Sequence, residues 1–370
     1  MPPSSNFSSG AGEQEERCIV NDQMGPFSVL YILLFIASFP GNLLSVWAFV
    51  CSARTQVALL RVRGLVGRGH GPDACAVVSQ QQRSSSVYLL NLLVADLLLL
   101  LALPFKVLKD LGVAPWSLMV FHCQASAVSL YISLYASIAF LALIITDRYL
   151  QDCHHLHSLR LQEVGFARLL SLVVWLLLLL IMVPNMVLPI RHIQVQRYLS
   201  CSSLKTDLGL HWHSLTVFLC TALFANASAA VLLSSGLAFR RLLGGRGDPG
   251  LQRSARRAAA SLTAVAAAYV LSFVPYHVVR APYTLAQTKV ITDCDTRRQL
   301  FLGKESTLLL SALHLCFDPL IFFYLYPPFR AVIRSLVPCV RQHAGSDTEP
   351  DEQAAEEMVQ QTSAELEATA

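Results

Sequence analysis

The chain has 370 residues, 54% of them hydrophobic and only 14% charged, with a formal net charge of +4. That is far too apolar for a soluble protein of this length with an ordinary core, and no basic tract with interleaved aromatics points to nucleic acid. The composition is that of a polytopic membrane protein.

Seven windows, at approximately 27–51, 87–110, 120–149, 166–190, 211–238, 257–286 and 300–326, are long enough to cross the bilayer. A helix needs roughly 20 residues to span a hydrocarbon core of about 30 Å, and segments of this length exclude barrel strands. The predicted fold is an all-α membrane protein, a seven-transmembrane helix bundle over 27–326.

Residues 1–26 are polar and acidic and carry no apolar stretch ending at a small-residue cleavage site, so the first span is expected to direct insertion itself. This tail holds Cys18 and the sequon Asn6-Phe7-Ser8, a glycosylation candidate if the tail lies outside. The side holding residues 51–86, 148–168, 239–258 and 327 onward has seventeen arginines and no lysine, against nine basic residues on the other side with Lys106 and Lys109 at the end of the second span included. The positive-inside rule therefore puts the N-terminus outside and the C-terminus in the cytosol.

The first inner connection, 52–86, contains Gly64, Gly67, Gly69, Gly71 and Pro72 and a Gln/Ser-rich run, a composition that favours disorder. Asp96 lies midway along the second span, Ser137 in the third and Asp318-Pro319 low in the seventh. Two carboxylates brought together in a bilayer share a proton or bind a cation; the plain alternative is a protonated polar clamp between helices. Asp147-Arg148-Tyr149 closes the third span at its inner end, either as a capping ion pair or as a latch that frees Arg148 for a cytosolic partner. Pro104, Pro184, Pro189, Pro275 and Pro319 bend their spans and so make both a cavity and a hinge.

Toward the outer ends lie Lys106, His213, His277, Arg280 and Lys304, with Tyr131, Tyr135, Tyr276, Tyr283 and the acid Glu305. Snorkelling accounts for a basic residue at a span end. Arg280 lies within an otherwise apolar run, where a charge costs about 3 kcal/mol on insertion scales and so faces a cavity, a partner or a ligand. A basic, aromatic cavity open to the outside suits an anionic ligand such as a phosphate ester or a carboxylate-bearing peptide.

Cys18, Cys123, Cys201 and Cys294 fall outside, and four cysteines permit three pairings. After the last span, 327–341 alternates apolar and basic groups as an amphipathic interfacial helix does, with Cys339 available for palmitoylation. The acidic cytoplasmic tail, 342–370, carries Ser346, Thr348, Thr362, Ser363 and Thr369, which phosphorylation would turn into a docking segment for a basic partner. No internal repeat relates the halves, which counts against a transporter. No nucleophile with a base and no zinc-type ligand spacing is evident, so no enzyme is expected.

Gly41-Asn42, Asn91 to Asp96, Cys123, Asp147-Arg148-Tyr149, Trp175, Pro275 and Asp318-Pro319 together resemble the rhodopsin-like (class A) G-protein-coupled receptors over all seven spans. Phe273 to Arg280, Pro282 to Leu285 and Lys304-Glu305 look like the P2Y12-like purinergic branch, and Val113 to Trp116, Phe121 to Gln124, Leu180 to Met186 and Val290 to Cys294 look like an orphan member of it.

The resemblance implies a plasma-membrane receptor coupled to Gi/o, with Cys123 bonded to Cys201 and Cys18 to Cys294. It implies ligand contacts at Tyr131, His213, Arg280, Tyr283 and Lys304, to which the charge pattern adds His277. Asp147, Arg148, Tyr149, Pro275, Asp318 and Pro319 would form the coupling switch, with arrestin a further partner through the tail. No cofactor is implied beyond a sodium ion near Asp96, in a polar core with Ser137 and Asp318. The alternative is a signalling-poor orphan receptor that acts through constitutive tone or heteromerisation.

The sequence also departs from the family. Phe322 stands where the family has tyrosine, with Tyr324 a candidate substitute, and His314 and Leu315 replace residues that commonly help hold sodium. An opsin is excluded because Ala312, not lysine, occupies the mid-depth of the seventh span.

Overall fold

The computed structural model describes residues 24–65, 74–151, 163–190, 201, 204–244, 249–287, 290–326, 329–330 and 333. Among them lie helices α1 (Gly25–Leu65), α2 (Ala74–Asp110), α3 (Trp116–Phe121), α4 (Ala127–Gln151), α5 (Val164–Met182), α6 (Pro184–Val187), α7 (Asp207–Gly244), α8 (Pro249–Gln287), α9 (Cys294–Ala312) and α10 (His314–Leu325). A π-turn at His122–Ser126 joins α3 to α4, so these helices make seven spans long and apolar enough to cross a membrane. The predicted bundle is what forms.

The spans sort by depth in the bundle. In the third, 78% of the apolar window is buried against 22% in the fifth, so α4 forms its axis. On α5 the exposed Leu172, Leu176 and Leu180 recur every four residues along the lipid face, while the small Ala167 and Ser171 turn inward. Small inward residues let neighbouring backbones approach, which is how helices pack where no hydrophobic gain separates lipid from protein. One such close approach is at Gly41, where a Cβ would stand 2.9 Å from Pro319 Cγ. Trp175 Nε1 donates to Asn91 Oδ1 at 2.8 Å, and Ser133 Oγ to the Ala95 carbonyl at 2.5 Å, fastening α5 and α4 to α2.

The proline positions act in two ways. Pro40, Pro104, Pro275, Pro282 and Pro319 sit inside continuous helices, whereas Pro184 begins a new short helix, α6. The seventh span breaks without a proline at Leu313, where its N–H bonds back to Leu310 in a tight turn. The carbonyl of Leu315 then accepts from Asn42 Nδ2 at 3.0 Å, and Ser311 Oγ donates to the Ser272 carbonyl at 2.9 Å, one turn before Pro275.

The segment 52–86 differs from the expectation of disorder. Helix α1 continues to Leu65 and α2 begins at Ala74, leaving 66–73 outside the described residues. The run Val57-Ala58-Leu59-Leu60-Arg61-Val62-Arg63 contains no glycine or proline, so helix propagation is favoured until the glycines begin. Asn6, Cys18, Cys339 and the acidic tail also lie outside the described residues; within 327–341, Phe329, Arg330 and Ile333 are helical.

Candidate functional site: a basic cavity at the disulfide end

One end of the bundle is fixed by the Cys123–Cys201 disulfide, with a Cα separation of 5.2 Å. Leu204, Trp116, Met119 and Ile190 pack on it, and a single antiparallel bridge pairs Ile190 with Lys205. Cys201 and Lys205 thereby line a cavity of about 1130 Å³, open mouth included. Cys294 is also disulfide-bonded; Cys18, its expected partner, lies outside the described residues.

Five of the six predicted ligand contacts line the cavity: Tyr131, His213, Arg280, Tyr283 and Lys304. His277 does not join them. It stacks flat on Phe224 with ring centroids 3.6 Å apart, stands edge-on to Tyr135, and bonds the Phe273 carbonyl through Nδ1 at 2.8 Å. On α8, a residue three positions before Arg280 lies about 60° away around the helix, and this places His277 against the packed interior rather than the opening.

The basic groups fall into two sets. Lys106 bridges Asp110 at 2.8 Å and Glu305 at 2.9 Å, Lys109 reaches Asp110 at 3.0 Å, and Lys304 pairs with Glu305. Lys106 also lies 4.8 Å from the ring centre of Tyr31. Carboxylates thus answer all three lysines of this cluster, which ties α2 to α9.

Arg280 is different. Its guanidinium sits 5.7 Å from the Tyr131 ring and 5.6 Å from the Tyr283 ring, and Nη2 meets His213 Nε2 at 3.1 Å. It is 4% exposed, and among the described residues no carboxylate lies within ion-pair reach. Lys205 is the second such cation: Nζ donates to Asn185 Oδ1 at 3.0 Å, and Asn185 Nδ2 in turn donates to Thr216. Burial, reinforced by the Arg280 charge, pushes Lys205 down to about 8.

Sequence reasoning missed Lys205, Asn185 and Asp110. Lys205 lies only four residues beyond Cys201, so the signal was the disulfide that brings Cys201, and Lys205 with it, to the cavity. Asn185 follows Pro184, at the helix interruption between α5 and α6, and faces Lys205 there.

Beneath the cavity, Asp96 and Asp318 come together, joined by His314, while Ser137 is buried with its hydroxyl unbonded. One ligating atom from each of Asp96, His314 and Asp318 lies within 4.8 Å of the others, all three side chains being buried. At the opposite end of the bundle, Asp147 Oδ2 accepts from Ser85 at 2.5 Å and from Gln151 at 2.7 Å, and Arg148 Nη2 donates to the Leu325 carbonyl at 2.7 Å. Tyr149 packs on the core from its edge.

Residues 74–322 match the family described as 7 transmembrane receptor (rhodopsin family). The chain belongs to that family. Rat G-protein coupled receptor 171 is 43% identical over 313 residues, covering 85% of this chain and 88% of that protein. Human G-protein coupled receptor 171 is 42% identical over 316 residues, 85% and 91% of the two chains. Bovine P2Y purinoceptor 14 is 37% identical over 279 residues, 73% and 79% of the two chains. The likeness to P2Y purinoceptors agrees with the P2Y12-like branch read from Phe273 to Leu285.

The protein is therefore a multi-pass plasma-membrane receptor that takes an extracellular ligand and engages a heterotrimeric G protein, and it is not an enzyme. In this receptor Arg148 tethers the third span to the end of the seventh through Leu325, while Asp147 is held by Ser85 and Gln151. A second cavity at this end is lined by Arg148, Ile144, Ile145, Ser261, Leu262, Val265 and Leu325. Tyr324 does not replace the missing tyrosine hydroxyl at Phe322. It is 65% exposed, because two residues turn a helix about 200°, and Phe322 itself packs edge-on against Phe49.

Lys205 makes anion binding at this cavity testable by pH. The affinity of an anion held at Lys205 is expected to fall as pH rises through about 8, where burial lets Lys205 lose its proton. A charge-assisted hydrogen bond contributes about 1.5–3 kcal/mol, so the decline is about tenfold or more between neutral and alkaline pH. Arg280 stays charged throughout. Ligand titrations of the parent and Lys205→Met at stepped pH check this, with the slope expected to flatten in the variant.

Proposed function

We propose that the disulfide end faces outward, with the N-terminus extracellular and the C-terminus cytoplasmic, and binds a ligand that presents one anionic group to Arg280, His213 and Lys205. Such a ligand is a carboxylate-bearing peptide or an anionic nucleotide-like or lipid-like molecule, with its body against Tyr131 and Tyr283. The observation that carries this reading is the uneven pairing of charges. Lys106, Lys109 and Lys304 have acidic partners, whereas Arg280 is buried among aromatic rings with none among the described residues. A buried guanidinium of this kind is a costly element to maintain without an anion to meet.

Binding then stabilises the state in which α8 has swung about Pro275, freeing Arg148 from the Leu325 carbonyl to meet a Gi/o heterotrimer and lower cAMP. Arrestin engagement of the phosphorylated tail, palmitoylation of Cys339 and glycosylation of Asn6 belong to the same reading. The test is inhibition of cAMP accumulation by nucleotide and peptide pools, with and without pertussis toxin. A toxin-sensitive response supports Gi/o coupling; a response that survives the toxin contradicts it.

Arg148→Ala is expected to keep ligand binding and to reduce G-protein activation to the unstimulated level. Parallel ligand-binding and nucleotide-exchange assays check it, and loss of binding with exchange intact would count against the assignment. A second reading, a signalling-poor receptor acting through constitutive tone or heteromerisation, is favoured by Phe322, whose ring leaves no hydroxyl to stabilise an active state. Surface expression without any ligand-dependent Gi response would favour it.

A further inference from the structure

The cluster beneath the cavity departs from what a sodium ion requires. Asp96, His314 and Asp318 are 0%, 2% and 1% exposed. Both carboxylate oxygens of Asp96, both of Asp318, Ser137 Oγ and His314 Nε2 have no hydrogen-bond partner. His314 Nδ1 bonds the Ser311 carbonyl at 2.6 Å. Only an N–H can make that bond, so Nδ1 carries a proton and, in the neutral ring, Nε2 presents a bare lone pair. That lone pair stands 3.7 Å from Asp96 Oδ1. Two lone-pair-bearing atoms facing each other in a buried site repel unless a proton or a cation lies between them.

Sodium is a poor fit. It favours oxygen ligands, whereas His314 contributes nitrogen, and a single positive charge leaves two buried carboxylates half-neutralised. A divalent cation of the zinc type fits both features. Imidazole and carboxylate together suit it, its ligands lie about 2.0–2.2 Å from the metal, and its two charges cancel the two carboxylates. Neighbouring ligand atoms around a tetrahedral ion at that radius lie about 3.3–3.6 Å apart. The observed 3.7 Å is close to this, and the 4.8 Å limit on the set requires a modest inward movement. The Ser311 carbonyl supplies the outer partner that fixes the tautomer of a metal-bound histidine.

We infer that Asp96, His314 and Asp318 form a zinc-type divalent cation site in the receptor core in place of a sodium site. The helix break at Leu313 makes it by turning the His314 ring toward Asp96 on α2. Such an ion would clamp α2 to the junction of α9 and α10.

The test uses the purified full-length receptor in metal-stripped detergent buffer, with unfolding followed by intrinsic fluorescence. Zinc chloride is expected to raise the unfolding temperature saturably, and sodium chloride to leave it unchanged relative to choline chloride. In His314→Asn the zinc shift is expected to disappear and a sodium shift to appear; in Asp96→Asn neither cation acts. Cobalt loading of the parent gives a readout that needs no variant. Intense visible bands of low-symmetry nitrogen and oxygen coordination, displaced by zinc, are expected.

The inference is overturned by absence of a zinc shift in the parent, which would mean that a proton satisfies the cluster. It is also overturned by a zinc shift of equal size in both variants, by a sodium shift in the parent matching that of His314→Asn, or by only the weak spectrum of hydrated cobalt.

Discussion

Glu305→Ala is expected to destabilise the receptor by about 3–5 kcal/mol, because it leaves two buried ammonium groups without their shared carboxylate. Glu305 accepts from Lys106 at 2.9 Å and pairs with Lys304, and all three side chains are at most 8% exposed. Asp110 remains to hold Lys106, so the uncompensated charge falls chiefly on Lys304. Lys304→Met introduced into Glu305→Ala is therefore expected to recover a large part of the loss. This coupling is read from unfolding temperatures of the two single variants and the double variant. Equal, additive losses would show that the pair does not act as a unit.

Arg280→Ala has the opposite character. Its guanidinium has no acid to orphan, so the fold and surface level are expected to survive while ligand potency falls about 10- to 100-fold, the range for a hydrogen bond to a charged group. Lys304→Ala should cost less potency, since Lys304 is already engaged by Glu305 and lies over the Tyr283 and Phe301 rings. Dose-response curves matched for surface expression separate the two. If Lys304→Ala proves the more damaging, the ligand anion sits on the α9 side of the cavity.

Much of this was legible in the sequence because membrane spans declare themselves by length. The seven windows and the pairing of Asp96 with Asp318 follow from apolar runs and the rarity of charges within them, and the placing of Arg280 beside Tyr131 and Tyr283 from the family resemblance. His277 illustrates what composition hides. A histidine near an arginine looks like a second ligand contact, but only the rotation of α8 decides that it stacks on Phe224. Tyr324 fails for the same geometric reason. The division of the lysines was hidden as well, because Asp110 belongs to α2 and Glu305 to α9, and nothing along the chain brings them to one ammonium. His314 stood out in the sequence only as a departure; the break at Leu313 that aims its ring was not visible there.

The central claim is that one anionic group of the ligand meets Arg280, and a ligand-receptor cycle measures that contact directly. With an activating ligand from the pools in hand, its anionic group is neutralised as an ester or amide, and both forms are titrated on the parent and on Arg280→Ala in the cAMP assay. The neutral form is expected to lose about 10- to 100-fold in potency on the parent and almost nothing further on Arg280→Ala. An equal loss on both receptors would place the anion elsewhere and contradict the account.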